Sequence, residues 1–316
     1  MIEECENVLK AIREDNTSGA SELVHRAVQC LIFFSETSKA PSPSPFKREL
    51  FEFIEKLISI QPTMAPFLNL ANTVLMSIEH VEDVEAIKEA MGKAAKAFLR
   101  GLREIPRRIA IHTASLLSGK DGILTHSYSS TVFEAIRFAA NAGRDLKVIC
   151  TESRPALEGV NLAKKLAAEG VKVHLVPDSA APSLLREADL FLTGGDALSP
   201  LGLVNKIGTY GIAIAAKANG VPFYALCGTD KILTQGLGER LRIEPKDPAE
   251  VLPTLYPGIG SWQHLRGIEV INRYFDITPI EFLSGVVTEE GVWQRDHLNR
   301  FVAGLRVCRA LGEGWM

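Results

Sequence analysis

Polar residues able to hold an anion or move a proton gather where several short apolar runs of this sequence end. The run that closes at Thr125 continues into His126, Ser127, Tyr128, Ser129 and Ser130. A helical stretch follows, with Thr131 and Glu134 spaced as a capping box. Free amides at a helix start, with the hydroxyls of Ser129 and Ser130 beside them, suit a phosphate; plain helix capping is the alternative. Arg154 stands in the segment TESRP, 151–155. Its guanidinium could grip a phosphate bidentately, or pair on the surface with Glu152 or Glu158. Asn205 and Lys206 lie in a glycine-flanked loop, where Lys206 could equally be a solvated lysine. Asp196, directly after Gly194 and Gly195, is the sharpest acid–base candidate, although aspartate also caps turns. His126 and Ser127 do not form a dyad, because neighbours on an extended chain point to opposite faces. His126 therefore reads as structural.

These groups must be positioned by regular elements, and the pattern of the chain changes once. Up to about residue 117 the apolar period is helical, as with Leu23, Val24, Ala27, Val28, Leu31 and Ile32. Prolines 41, 43 and 45 read as a linker, and a helix over 81–105 should stop at Pro106. Beyond it, strands at 122–126, 146–151, 171–176, 189–193 and 221–227 alternate with helices at 131–142, 157–169, 183–187 and 209–219. That alternation is the mark of a parallel sheet. The reading is a helical N-terminal domain, 1–117, followed by a Rossmann-like doubly wound α/β domain, 118–316. Residues 275–279 read as a turn, and 285–288 as a further apolar stretch. In such sheets ligands bind beyond the carboxyl ends of the strands, where the polar residues above collect.

Composition excludes several classes of function. The 316 residues are 46% apolar and 23% charged, which fits a globular chain with a sizeable core and excludes a disordered one. Lys and Arg number 35 against 38 Asp and Glu, with no basic run, so nucleic acid is not expected as a direct partner. No apolar stretch is long enough to cross a membrane, and the acidic N-terminus is not a secretory signal. Five widely spaced cysteines without a C-x-x-C pattern fit reduced thiols in a cytoplasm, with no metal site. G-x-G-x-x-G after a strand, the P-loop and H-E-x-x-H are all missing, which disfavours nicotinamide, nucleotide-hydrolysing and zinc enzymes, and no cofactor is expected.

The ordered set ILTHSYSS (123–130), TESRP (151–155), Gly195-Asp196, VNKIGTY (204–210), VPFY (221–224) and FDITP (275–279), with weaker matches at SGA (18–20) and PTM (62–64), resembles one superfamily. It joins the alpha, beta and delta subunits of eukaryotic initiation factor 2B to archaeal and bacterial relatives. It also holds isomerases of ribose 1,5-bisphosphate and methylthioribose 1-phosphate. The resemblance implies a ligand cleft touching Gly19, Ala20, Ser127, Ser129, Ser130, Arg154, Asn205 and Lys206. It further implies a homodimer, with initiation factor 2 as a possible protein partner.

Three departures separate this chain from the isomerases it resembles. Their catalytic cysteine matches Ser127, while the aspartate it works with is kept as Asp196. The arginines that hold phosphate in the bisphosphate isomerases match Ser18 and Gln61. Moving hydrogen between C2 and C1 of a sugar phosphorylated at its anomeric oxygen needs groups that titrate near neutrality. A thiol does so at about 8.5, and a serine without an activating base does so poorly. The expectation is an initiation-factor-2B-like protein that binds a sugar phosphate or nucleoside monophosphate without standard isomerase activity. The alternative is an aldose–ketose isomerase of a phosphorylated ribose that uses Asp196.

Overall fold

The computed structural model describes residues 3–15, 20–251, 267 and 269–313. Five helices come first: α1 (Glu3–Glu14), α2 (Ala20–Thr37), α3 (Pro43–Ile60), α4 (Ala65–Ile78) and α5 (Val84–Leu116). The apolar stripe of α2 is its buried face: Leu23, Val24, Ala27, Val28 and Leu31 pack with Phe46, Leu50 and Phe53 of α3 and Phe67 of α4 in one core.

Two helix boundaries differ from the sequence reading, and both involve proline. Of the proline stretch 41–45 only Pro41 and Ser42 stay outside a helix, because α3 already begins at Pro43. A proline in the first helical turn lacks an N–H that would have had no partner there anyway. Pro106 does not end α5 but sits inside it. An interior proline costs about 3 kcal/mol, and burial on both sides outweighs that. Leu102 belongs to the core of the N-terminal helices, whereas Ile109 and Ala110 belong to the core of the sheet. One helix therefore ties the two cores together.

The second part runs β1 (Gly122–Thr125), α6 (Ser130–Asn141), β2 (Lys147–Thr151), α7 (Glu158–Ala168), β3 (Lys172–Val176), the short α8 (Ala181–Leu184), β4 (Leu190–Thr193), β5 (Ala197–Ser199) and β6 (Gly202–Lys206). It continues through α9 (Thr209–Ala218), β7 (Phe223–Leu226), the short α10 (Gln235–Gly238), β8 (Phe275–Thr278), β9 (Gly285–Thr288), β10 (Gly291–Trp293), α11 (Arg295–Gly304) and α12 (Arg309–Glu313). The main sheet is ordered β10-β9-β7-β4-β1-β2-β3, parallel throughout except for β10. Renumbered in chain order, its parallel strands stand 3-2-1-4-5-6, the doubly wound arrangement, and the order reverses between β1 and β4. Both strands are wholly buried, as a sheet covered by helices on two faces requires.

A second, antiparallel sheet β5-β6-β8 was not anticipated. Residues 275–279, read as a turn, supply its strand β8, and Asn205 and Lys206, read as loop, end its strand β6. Asn205 pairs with Asp276 and Lys206 with Phe275, partners some seventy positions apart that no local pattern reveals. This small sheet packs on the N-terminal helices through Ala197 and Val204. It thereby brings the helical part against the carboxyl edge of the large sheet.

Candidate functional site

The crevice at the β1/β4 reversal is held open by local backbone choices. Ser127 and Ser153 both take left-handed φ, 71° and 62°, uncommon for residues with a side chain and concentrated at functional turns. Hydrogen bonds over-determine them. The Ser127 amide donates to Ser153 Oγ at 2.8 Å, and the amides of Ser153 and Arg154 donate to the two oxygens of Asp178, each at 2.7 Å. The ends of β1, β2 and β3 are thus fastened to one another.

His126 completes the fastening and is buried. Its Nε2 faces the Ile207 carbonyl at 2.8 Å, which can only accept, so Nε2 carries the proton and Nδ1 accepts from Thr151 Oγ1 at 2.6 Å. Both nitrogens are committed, and neither is available to activate Ser127. Burial lowers the pKa of His126, with smaller opposing effects from Ile207 and Asp178. The unfolded chain takes up a proton near pH 6.5 that the fold refuses, so this group's contribution is full above 6.5 and is lost as pH falls below it. Asp276, pushed up to about 6 by burial, acts in the opposite sense, favouring the fold as pH falls through 6. We expect the stability advantage of wild type over His126→Gln, measured by urea unfolding, to shrink between pH 7.5 and 5.5. An advantage independent of pH would show that His126 titrates alike in both states.

The α6 start lies on the other side of β1. Ser129, not Thr131, is the N-cap, its Oγ accepting from Val132 N at 3.3 Å, while Glu134 turns to Arg137. The Ser130 and Thr131 amides have no acceptor among the described residues. The end of β4 comes close because Gly194 lacks a side chain: a Cβ there would lie 2.6 Å from Ser129 Oγ. These elements enclose a cavity of about 130 Å³, walled by Ala20 and Met64 from the helical part and by Ser127, Ser129, Ser130, Asp196, Asn205 and Lys206.

Seven of the expected residues therefore meet, and Arg154 does not join them. Gly19 lies outside the described residues. Arg154 does not face the cavity or pair with a glutamate, because its guanidinium donates to the Val251 carbonyl at 2.9 Å. Lys206 is no solvated lysine: it is 2% exposed, ion-paired with Glu158 at 2.5 Å, and 4.3 Å from the centre of the Tyr274 ring. Asn205 is buried and donates to Thr209 Oγ1. Lys231 was missed. It lines the cavity and donates to the Gly195 carbonyl at 2.7 Å. The strand-end rule points to it, four positions beyond the strand read at 221–227. Glu158 was weighed only as a surface partner of Arg154, whereas it opens α7 on the cavity wall.

Asp196 keeps part of its surface open to the cavity, while its carboxyl lies deep enough that burial raises its pKa. Lys231 and Lys206 pull the other way without cancelling the desolvation. A carboxyl shifted in this direction, beside two ammonium groups, is suited to proton transfer. Cys227 does not replace the missing thiol: it is fully buried behind Gly195 and absent from the cavity wall, and burial pushes its pKa up. A larger cavity of about 540 Å³ lies between α4, α5 and α11, away from every expected residue.

The profile of the Initiation factor 2 subunit family matches residues 16–295. The chain belongs to this family. Among family relatives, it is 33% identical to a translation initiation factor eIF-2B subunit 2-like protein of Pyrococcus furiosus, over 90% of this chain and 94% of the relative. It is 30% identical to the ribose 1,5-bisphosphate isomerase of Thermococcus kodakarensis, over 92% and 91%. The fold matches the crystal structure of the Pyrococcus horikoshii translation initiation factor eIF-2B with a TM-score of 0.77 at 30% identity, covering 94% of this chain and all of that one. The family thus spans factor-like and isomerase members at similar distance from this chain. No described helix is long and apolar enough to cross a membrane.

Proposed function

We propose that the switch-point cavity binds a phosphorylated pentose and that the protein is an initiation-factor-2B-like ligand-binding protein without standard isomerase activity. The phosphate sits on the Ser130 and Thr131 amides at the α6 start, with Lys206 and Lys231 supplying charge and Asp196 facing the sugar hydroxyls. The convergence of these groups at the crevice between β1 and β4 carries the reading. A volume of about 130 Å³ is well under the ~300–1,000 Å³ of drug-sized ligand sites, which favours a small sugar phosphate over a nucleoside monophosphate. Output through ligand sensing or contact with initiation factor 2 is part of the proposal, suggested by the factor-like relatives, and five buried cysteines outside any disulfide support a cytoplasmic setting.

Isomerisation is the second reading, favoured by the raised pKa of Asp196 and by the isomerase relatives. Against it stands Ser127, whose hydroxyl gets no help from His126, both of whose nitrogens are committed elsewhere.

A thermal-shift screen tests the binding step. Ribose 1-phosphate at 100 times its dissociation constant should stabilise the protein by about 2.7 kcal/mol. Gly194→Ala, which pushes a methyl group onto Ser129, should abolish the shift. No shift with any pentose phosphate, or an equal shift in the variant, rejects the site.

The homodimer is also part of the proposal. Ile207, just before α9, and Tyr210 and Ile214 within it recur at three- and four-residue spacing, each at least 36% exposed. Light scattering at micromolar concentration should give twice the 34.5 kDa chain mass. A monomer mass rejects the dimer.

A further inference from the structure

The large cavity of about 540 Å³ between α4, α5 and α11 falls within the ~300–1,000 Å³ of small-molecule sites. Phe98, Leu102 and Ile105 of α5, with Ile232, Phe301 and Leu305, form an apolar wall. Leu102 and Ile232 are buried, whereas the other four keep part of their surface open. Two carboxylates interrupt this wall: Asp230, in the turn after β7, and Glu289, directly after β9.

The neutral donors around them are already spent. Asn69 Nδ2 donates to the carbonyls of Asp230 and Ile232 at 2.6 and 3.0 Å, and Asn72 Nδ2 to the Arg306 carbonyl at 2.8 Å. Thr73 Oγ1 donates to the Asn69 carbonyl, and the Thr229 amide and hydroxyl both go to Glu289. Among the described residues no other side chain donates to Asp230. Burial pushes its carboxyl up to about 6, against the pull of Lys231 and with a further push from Glu289. Lys231 turns its ammonium away, to the Gly195 carbonyl at 2.7 Å. Arg108 is the only cation among the described lining residues, and it lies exposed on α5, one turn from Glu104 of opposite charge.

Two carboxylates facing an apolar chamber repel an anion, and their spare acceptor capacity calls for a donor. An ammonium group supplies several, in bonds roughly twice as strong as neutral ones. We infer that this cavity is a second ligand site, for an organic cation: a primary ammonium group on an aromatic or aliphatic body. The ammonium donates to Asp230 and Glu289, and the body lies against Phe98, Ile105 and Phe301. The site stands whether or not the switch-point cavity takes a sugar phosphate.

Calorimetry on the full chain tests it with 2-phenylethylamine and 4-phenylbutylamine, which differ in reach, against the uncharged 2-phenylethanol and the anionic 3-phenylpropionate. One or both amines should bind about tenfold or more tightly than the alcohol, and the carboxylate should not bind. Asp230→Asn and Glu289→Gln should each weaken the amine about tenfold; the glutamine keeps an oxygen for the Thr229 donors. Gly101→Phe should abolish binding with the fold intact. Gly101 lines the cavity, is exposed in α5, and a Cβ there would meet nothing within 4 Å, so the added ring has room to fill the chamber. Equal binding of amine and alcohol overturns the inference. So does an amine affinity unchanged in both charge variants or in Gly101→Phe, and so does binding of neither amine.

Discussion

Ser127→Cys should raise the isomerisation of a pentose 1-phosphate such as methylthioribose 1-phosphate by about 10²–10⁴-fold over wild type, the usual contribution of one well-placed acid or base. Residue 127 lines the same cavity as Asp196, and its left-handed turn is held by its own amide, so exchanging oxygen for sulfur leaves the backbone where it is. Wild type lacks the second titrating group. Its serine hydroxyl is not activated by the neighbouring imidazole, because His126 spends both nitrogens on Thr151 and Ile207. A thiol titrating near 8.5 needs no such help to exchange protons at neutral pH. Single-turnover assays decide the matter. Fast turnover by wild type would make Ser127 no handicap and establish the isomerase reading. Tight sugar-phosphate binding with no gain in the cysteine variant would show that the cavity binds without the geometry for catalysis.

Gly159→Ala should destabilise the protein by about 3 kcal/mol or more, at or above the upper end of ordinary overpacking costs. Gly159 lies in the first turn of α7, where the helix crosses the end of β2. A Cβ there would stand 1.8 Å from the Thr151 carbonyl oxygen and 2.7 Å from Ser153 Oγ. The first of these atoms belongs to a central strand and cannot swing aside. Relief requires moving α7, which carries Glu158, and loosening Ser153, which holds the Ser127 amide. Sugar-phosphate affinity should therefore fall together with stability. Gly211→Ala is the control: it sits in α9 with open space around it and should gain up to about 1 kcal/mol through helix propensity. A urea midpoint for Gly159→Ala within error of wild type would mean the helix does not approach the strand this closely.

The large sheet was legible in the sequence because its strands are short buried runs with helices between them, and each signal is local. The strand-end rule points to the edge where Ser127, Ser129, Ser130 and Asp196 line one cavity. Arg154 does not join them, because a strand end says where the backbone goes and leaves open where a long side chain turns; here it finds the Val251 carbonyl. Lys206 was ambiguous because a lysine beside a glycine looks the same solvated or buried. Its burial depends on Glu158 and Tyr274, which are distant in sequence.

The chain by itself determined the helical first part, the alternating strands and helices of the large sheet, the family and half of the cavity wall, since periodicity and motif are properties of neighbours along the chain. Tertiary structure decided the rest. The continuation of α5 through Pro106 came from burial in two cores, and the sheet β5-β6-β8 from pairing across some seventy residues. The upward shift of Asp196 came from desolvation outweighing two nearby lysines. Each is set by the energy of groups that meet only when the chain is folded, and no local window of the sequence contains both partners.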